Sequence, residues 1–330
     1  MRLGLLTGMG DDWRATLEKV QIAEDLGYER VSGAESWTPS PLPWLTLVAS
    51  NTSKIEVGTS ILNCFSRTPA AVAQEFASLD QISEGRAVLG LGSSGAFVIE
   101  HFHGLPFKKP LRRLRETVEI FNMLMAGEPL NYEGEIFQMS RGFKLRVAPY
   151  RSHIPVYIAG ITPKSIRQTG EIADGIIPIH WPKTRFQTLK EELAEGASAA
   201  GRDGAKLTIA TQTQMQILDG SRDEEQWQAA REPLQYYINR MGVFYWQMLS
   251  RNGFEGEVGV SRAAWAERDV EGSFAAITDE MVREIEVIGP IDSVREQLQE
   301  RSVLGADLQM LHMPEGTVAE VGATLEALIR

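Results

Sequence analysis

Ala87-Val88-Leu89-Gly90-Leu91-Gly92 is apolar without a break and closes on Ser93-Ser94-Gly95. Pro155-Val156-Tyr157-Ile158-Ala159 repeats the pattern and closes on Gly160-Ile161-Thr162. A continuously apolar strand is buried on both faces, as in a parallel sheet covered by helices. Outward from these two, β-type runs begin near Arg2, Arg30, Ile55, Ala87, Pro155, Gly175, Lys206 and Asp307. Amphipathic stretches separate them. Trp13, Leu17, Val20 and Ala23 form one stripe, ended by Gly27. Leu111, Leu114, Val118, Phe121 and Met125 form another, ended by Gly127 and Pro129. Thr68-Pro69 and Thr162-Pro163 each set a capping hydroxyl before a proline at the first helical position, and Thr317 with Glu320 reads as a capping box. Eight β/α units in 330 residues predict an α/β fold of the (β/α)8 TIM-barrel type, with a doubly wound open sheet as the other architecture.

Three segments interrupt the alternation. Ser93 to Lys109 reads as a long loop, Asn131 to Phe137 as a small hairpin around Glu133-Gly134, and Ser221 to Val287 as a mainly helical insertion. No linker or low-complexity tract divides the chain, so one domain over 1–330 is expected. With 43% hydrophobic and 23% charged residues, the composition excludes a disordered, collagen-like or coiled-coil chain. The single cysteine, Cys64, excludes a disulfide scaffold and a cysteine-built metal cluster. Lys plus Arg less Asp plus Glu, 33 − 44, leaves −11, which lacks the basic excess of a nucleic-acid or anionic-membrane binder. The apolar Leu3 to Gly8 meets Asp11 and Asp12 too soon for a signal peptide, and no run is long enough to span a membrane. A cytoplasmic location is expected.

Gly90-Leu91-Gly92-Ser93-Ser94-Gly95 matches G-x-G-x-x-G after a strand. A pyrophosphate site also needs a helix to open there, whereas Gly104, Pro106 and Pro110 defer the next clear helix to about residue 110. The acid about twenty residues on, Glu116, falls inside that helix. A glycine-rich strand end instead lets a flat ring lie close to the backbone. Gly160 to Ser165 is a better anion site, with a short turn, a capped helix start, and Lys164 and Ser165 to add a charge and a hydroxyl. An ordinary well-capped turn has the same sequence. Glu35-Ser36-Trp37 ends the second strand, Ser60, Ile61 and Asn63 end the third, and His180-Trp181 follows the sixth. Those are the positions where a barrel carries its function, although Glu35-Ser36-Trp37 also reads as a surface turn. His101 and His103 have no companion ligands, so no metal site is expected. Lys108, Lys109, Arg112, Arg113 and Arg115 are either a solvated face or a landing site for a polyanionic tail.

Together these residues resemble the luciferase-like monooxygenase superfamily, and within it the coenzyme F420-dependent oxidoreductases. Leu89 to Ser93, His103-Gly104-Leu105-Pro106-Phe107, Tyr132-Glu133-Gly134-Glu135 and Gly170-Glu171-Ile172-Ala173-Asp174-Gly175 carry the likeness by their order and spacing. The resemblance implies a deazaflavin at the C-terminal mouth of the barrel. It places Glu35 near the ring, Asn63 in a hydrogen bond to the cofactor, and Ser60-Ile61 at a non-proline cis peptide. Ser93 and Val98 match cofactor contacts, and Ile161, Thr162, Lys164 and Ser165 match the phosphate-binding turn. Glu35 and His180 are the candidate proton-transfer groups. Ser36, Gly95 and Thr7 stand where the sugar-phosphate dehydrogenases and methylenetetrahydromethanopterin reductases of the family carry functional side chains, so neither activity transfers. The expectation is hydride transfer between C5 of F420 and a small organic substrate, in a homodimer. The alternatives are an FMN-dependent monooxygenase served by a partner reductase, and a non-catalytic flavin-binding protein.

Overall fold

The strands close on themselves. In the computed structural model, which describes residues 1–330, the barrel strands are Leu3–Leu6, Arg30–Gly33, Glu56–Thr59, Ala87–Gly92, Val156–Ile158, Gly175–Ile176, Thr208–Thr213 and Leu308–His312. Their order is third, second, first, eighth, seventh, sixth, fifth, fourth, and Val57 and Gly58 pair with Ala87 and Val88 to join third to fourth. All of these pairings are parallel, and the open-sheet alternative is set aside.

The third strand slips as it reaches the mouth. It pairs Val57 with Ala87 but resumes with Leu62 opposite Leu91, so it holds one residue more than its neighbour. The Thr59 hydroxyl bridges the gap, donating to the Gly90 carbonyl at 2.7 Å and accepting from the Gly90 amide at 3.0 Å. Only glycine fits opposite, because a Cβ on Gly90 would lie 1.8 Å from the Thr59 carbonyl oxygen. The bulge carries a cis peptide at Ser60-Ile61, where the family resemblance placed one.

The helices start and stop for the reasons read from the sequence. Asp12 caps Trp13–Leu26, which ends on Gly27 at φ 89°, and Thr68 caps Pro69–Ile82. Thr162 and Ser165 form a capping box on Pro163–Ile172, as do Thr317 and Glu320 on Val318–Ile329. Each such cap contributes about 1 kcal/mol. Two expectations need revision. The loop after the fourth strand contains a short helix, Ala96–His101, which opens directly after Gly95. The hairpin is wider than its turn, pairing Leu130–Glu133 with Gln138–Phe143. Its turn is tied down by buried Glu116, whose carboxylate accepts from the amides of Glu135, Ile136 and Phe137 at 2.7, 2.9 and 2.9 Å.

Between the seventh and eighth strands the chain passes through Asp223–Arg240, Val243–Leu249, Glu255–Ala266, Val270–Ala275 and Asp279–Ile285. These helices pack on the sixth and seventh strands through a core of 22 buried residues that includes Ile176, Ile209, Leu234, Met248 and Ile285. The helix Phe186–Ala199 joins that core through Phe186, Leu189 and Leu193, and a separate core of 41 residues includes buried side chains of Trp13–Leu26, Pro69–Ile82, Pro110–Met125 and Val318–Ile329. A plug of seven, among them Leu6, Val88, Tyr157 and Met310, fills the barrel interior. No helix is long and apolar enough to cross a membrane.

Candidate functional site

Glu35, Ser60, Asn63, Ser93, Ile161 and His180 all follow the C-terminal ends of barrel strands and so share one rim. Glu35 and Asn63 form its hub. Glu35 Oε2 accepts from the Asn63 amide (3.0 Å), Asn63 Nδ2 (2.8 Å) and Ser66 Oγ (3.3 Å), while Oε1 accepts from Arg67 Nη1. Asn63 Oδ1 accepts in turn from the amides of Phe65 (3.0 Å) and Ser66 (2.7 Å). Arg67 also reaches Glu75 at 3.1 Å. Burial works against its charge, but Glu35 and Glu75 hold the guanidinium above its ordinary value. The Glu35 carboxylate, one of the two candidate proton-transfer groups, thus already holds four donors, which fix its position on the rim.

Across the mouth, Gln212 Nε2 donates to Ser60 Oγ (3.0 Å) and to the Ser60 carbonyl (3.1 Å), tying the seventh strand to the cis bulge. Ser93 is half-buried at the start of the glycine loop, whereas Val98 packs inside the short helix, 4% exposed. A side chain at Gly95 would meet nothing within 4 Å, so the loop presents bare backbone to open space.

At the anion turn, the amides of Gly160, Ile161 and Lys164 find no acceptor within the protein. Lys164 is exposed and makes no ion pair. The hydroxyls of Thr162 and Ser165, expected to face a phosphate, are engaged with each other in the capping box at 3.0 Å. A second cation arrives from the insertion, where Arg251 Nη2 donates to the Ile161 carbonyl. The basic run after the glycine loop is not a free patch. Lys109 pairs with Glu135, Arg112 with Glu116 and Arg115 with Glu171, while Arg113 stacks 4.8 Å from the Phe65 ring centroid.

His180, at φ 50°, is 4% exposed, and its Nε2 has no partner. Its ring stands edge-on to Tyr237, centroids 4.7 Å apart, and Nδ1 lies 3.8 Å from Glu286 Oε1. Burial, aided by His312, drives the imidazole down to about 3, so it is neutral at ordinary pH. Glu286 is 2% exposed with neither oxygen hydrogen-bonded. Burial pushes its carboxyl well above the usual range, against the pull of Arg301.

Sequence reasoning missed Arg67, Gln212, Arg251 and Glu286. Arg67 directly precedes a recognised cap, and Gln212 is polar within a barrel strand, so both left a local trace. Arg251 and Glu286 left none, because their partners are 90 and 106 residues away in the chain.

A family model described as luciferase-like monooxygenase matches residues 2–308. A Mycobacterium tuberculosis protein provisionally named a coenzyme F420-dependent oxidoreductase is 30% identical, covering 94% of this chain and 94% of its own. The 5,10-methylenetetrahydromethanopterin reductase of Archaeoglobus fulgidus is 31% identical over 90% of this chain and 89% of its own. The solved coenzyme F420-dependent tetrahydromethanopterin reductase of Methanopyrus kandleri superposes with a TM-score of 0.83 at 23% identity, covering 100% of this chain and 97% of that one.

Proposed function

The chain belongs to the luciferase-like monooxygenase family, and on that premise we propose that it is a coenzyme F420-dependent oxidoreductase acting on a small organic substrate. The observation that carries the reading is the anion turn, with three unclaimed amides, an unpaired Lys164 and Arg251 overhead. Such a site suits a phosphodiester, and it supplies locally the positive charge that a chain of net charge −11 lacks overall. The bare backbone at Gly95 leaves room for a flat ring beside Ser93. When bound, the deazaflavin supplies hydride chemistry at its C5 carbon.

The chain's own residues supply position and protons. Lys164 and the amides at 160, 161 and 164 hold the phosphate. Gln212 holds the bulge at Ser60, and Glu35 with Arg67 holds Asn63 on the rim. Proton transfer falls to His180, a neutral imidazole with an uncommitted Nε2 at a strand end. We assign the active form to a cytoplasmic homodimer, on the family resemblance.

Titration of the purified protein with F420, FMN and NADPH, followed by absorbance and fluorescence, tests the reading. F420 binding is expected, weakened about tenfold or more in Lys164→Ala by loss of one charge-assisted contact. Binding of FMN without F420 would overturn it in favour of flavin chemistry served by a partner reductase.

A further inference from the structure

Behind the sixth and seventh strands lies a set of buried polar groups for which the fold offers no partners. His180 Nε2, both oxygens of Glu286, and Arg301 Nε and Nη2 all lack hydrogen bonds. Glu286 and Arg301 are 2% and 1% exposed. Buried polar groups are normally satisfied, so such a concentration at one place needs a reason. The groups are ordered in space. His180 follows the sixth strand at the mouth, Glu286 ends the insertion 3.8 Å from its Nδ1, and Arg301 comes from the helix Ile291–Leu304 that follows.

We propose that Glu286 is the proton reservoir of His180, so that the two form a relay between the helical insertion and the barrel mouth. The inference rests on the assignment of proton transfer to His180 made above. A neutral imidazole can release the proton on Nε2 only if Nδ1 takes one up. Glu286 Oε1 is the carboxyl that faces Nδ1. In the step, the bond from Glu286 Oε1 to its proton breaks as a bond from that proton to His180 Nδ1 forms. The proton on Nε2 leaves for an acceptor oxygen or nitrogen of the substrate. The imidazole stays neutral throughout, and Glu286 ends as a carboxylate that solvent later reprotonates.

The surroundings suit both ends of that step. The apolar burial that favours the neutral acid sits beside Arg301, which remains a cation at neutral pH even though burial lowers it to about 10, and which attracts the carboxylate once it forms. The Arg301 guanidinium also lies over Phe186, its carbon 5.3 Å from the ring centroid, and its charge is shared among Glu284, Glu286 and Glu300. The titratable groups facing the pair are Tyr237 from helix Asp223–Arg240, Tyr245 beyond it from Val243–Leu249, His312 from the eighth strand, Glu284 two residues before Glu286, whose carbonyl accepts from Arg301, and Glu300 from Ile291–Leu304. The Tyr237 ring packs edge-on against His180. The 3.8 Å gap is longer than a hydrogen bond, as catalytic contacts often are before substrate is present.

Infrared spectroscopy of the whole protein near neutral pH is the test. A protonated-carboxyl stretching band is expected in the wild type and absent from Glu286→Gln. The band should shift in His180→Gln, because the group that faces the carboxyl has changed. Circular dichroism and thermal unfolding of both variants establish that they are folded, and Glu286→Met serves if Glu286→Gln is not. Absence of the band in the wild type, or a band unmoved in His180→Gln, overturns the relay. F420 titration separates the two readings. Failure to bind F420 would remove the functional proposal and leave the band assignment standing, whereas F420 binding with no coupled band would remove the relay alone.

Discussion

Glu35→Gln tests whether the pairing of Glu35 with Arg67 holds the rim hub together. The substitution keeps the shape and one acceptor oxygen, and replaces the other with an amide nitrogen. The oxygen retains the three donors from Asn63 and Ser66 only by turning the new NH2 towards Arg67 Nη1, donor against donor. The reverse orientation faces the NH2 to Asn63. Either way a charge-assisted bond is lost in a site where Glu35 is 9% and Arg67 16% exposed. Such a bond is worth about 1.5–3 kcal/mol, and the residual pairing of Arg67 with Glu75 keeps the loss near about 2 kcal/mol. With an unfolding entropy of about 2.1 cal/mol/K per residue, a chain of 330 residues loses about 3 °C in Tm. Differential scanning calorimetry reads the shift. Arg67→Met, which removes the same pair from the other side, should lose at least as much, because it leaves the buried carboxylate without its counter-ion. An unchanged Tm in both variants would refute the hub.

Two further outcomes follow from the geometry. Gly90→Ala sets a methyl group 1.8 Å from the Thr59 carbonyl and forces the third and fourth strands apart, a loss of about 3 kcal/mol or more in urea unfolding; a wild-type midpoint would contradict the packing of the bulge. Burial lowers the native His180 value from 6.5 to about 3, so between those values the unfolded chain binds the extra proton and stability falls as pH falls, by up to about 1.4 kcal/mol per pH unit. Urea midpoints of His180→Gln should therefore decline less steeply than wild type between pH 6.5 and 4, and parallel curves would contradict the buried neutral imidazole.

What was legible in the sequence was what is local. Apolar runs such as Ala87 to Leu91 mark strands because burial on two faces leaves no room for polar alternation. Caps such as Thr68-Pro69 mark helix starts because they satisfy their own neighbours' amides. The helix Ala96–His101 escaped because Gly104, Pro106 and Pro110 dominate the composition of its segment. Rim positions were legible only as places. Whether a side chain placed there is free depends on its partners, and those come from other strands. Glu35 is bound by Arg67, and Thr162 and Ser165 by one another, contacts that residue type and position alone do not announce. Lys109 pairs with an acid on the hairpin turn, Arg112 with one on its own helix and Arg115 with one on a neighbouring helix, so most of the charge run that sequence left open is internally paired.

The insertion between the seventh and eighth strands touches the barrel through a core of 22 residues that it shares with the sixth and seventh strands and the helix Phe186–Ala199. A segment of that kind can open as a cooperative unit below the cost of global unfolding, with amide exchange faster in its helices than in the first five strands. Its opening would be more than local disorder. Arg251 would release the Ile161 carbonyl at one end, and Glu286 would leave His180 at the other. The anion turn would then lose its second cation at the moment the imidazole met solvent, which ties ligand retention and water exclusion to a single fluctuation.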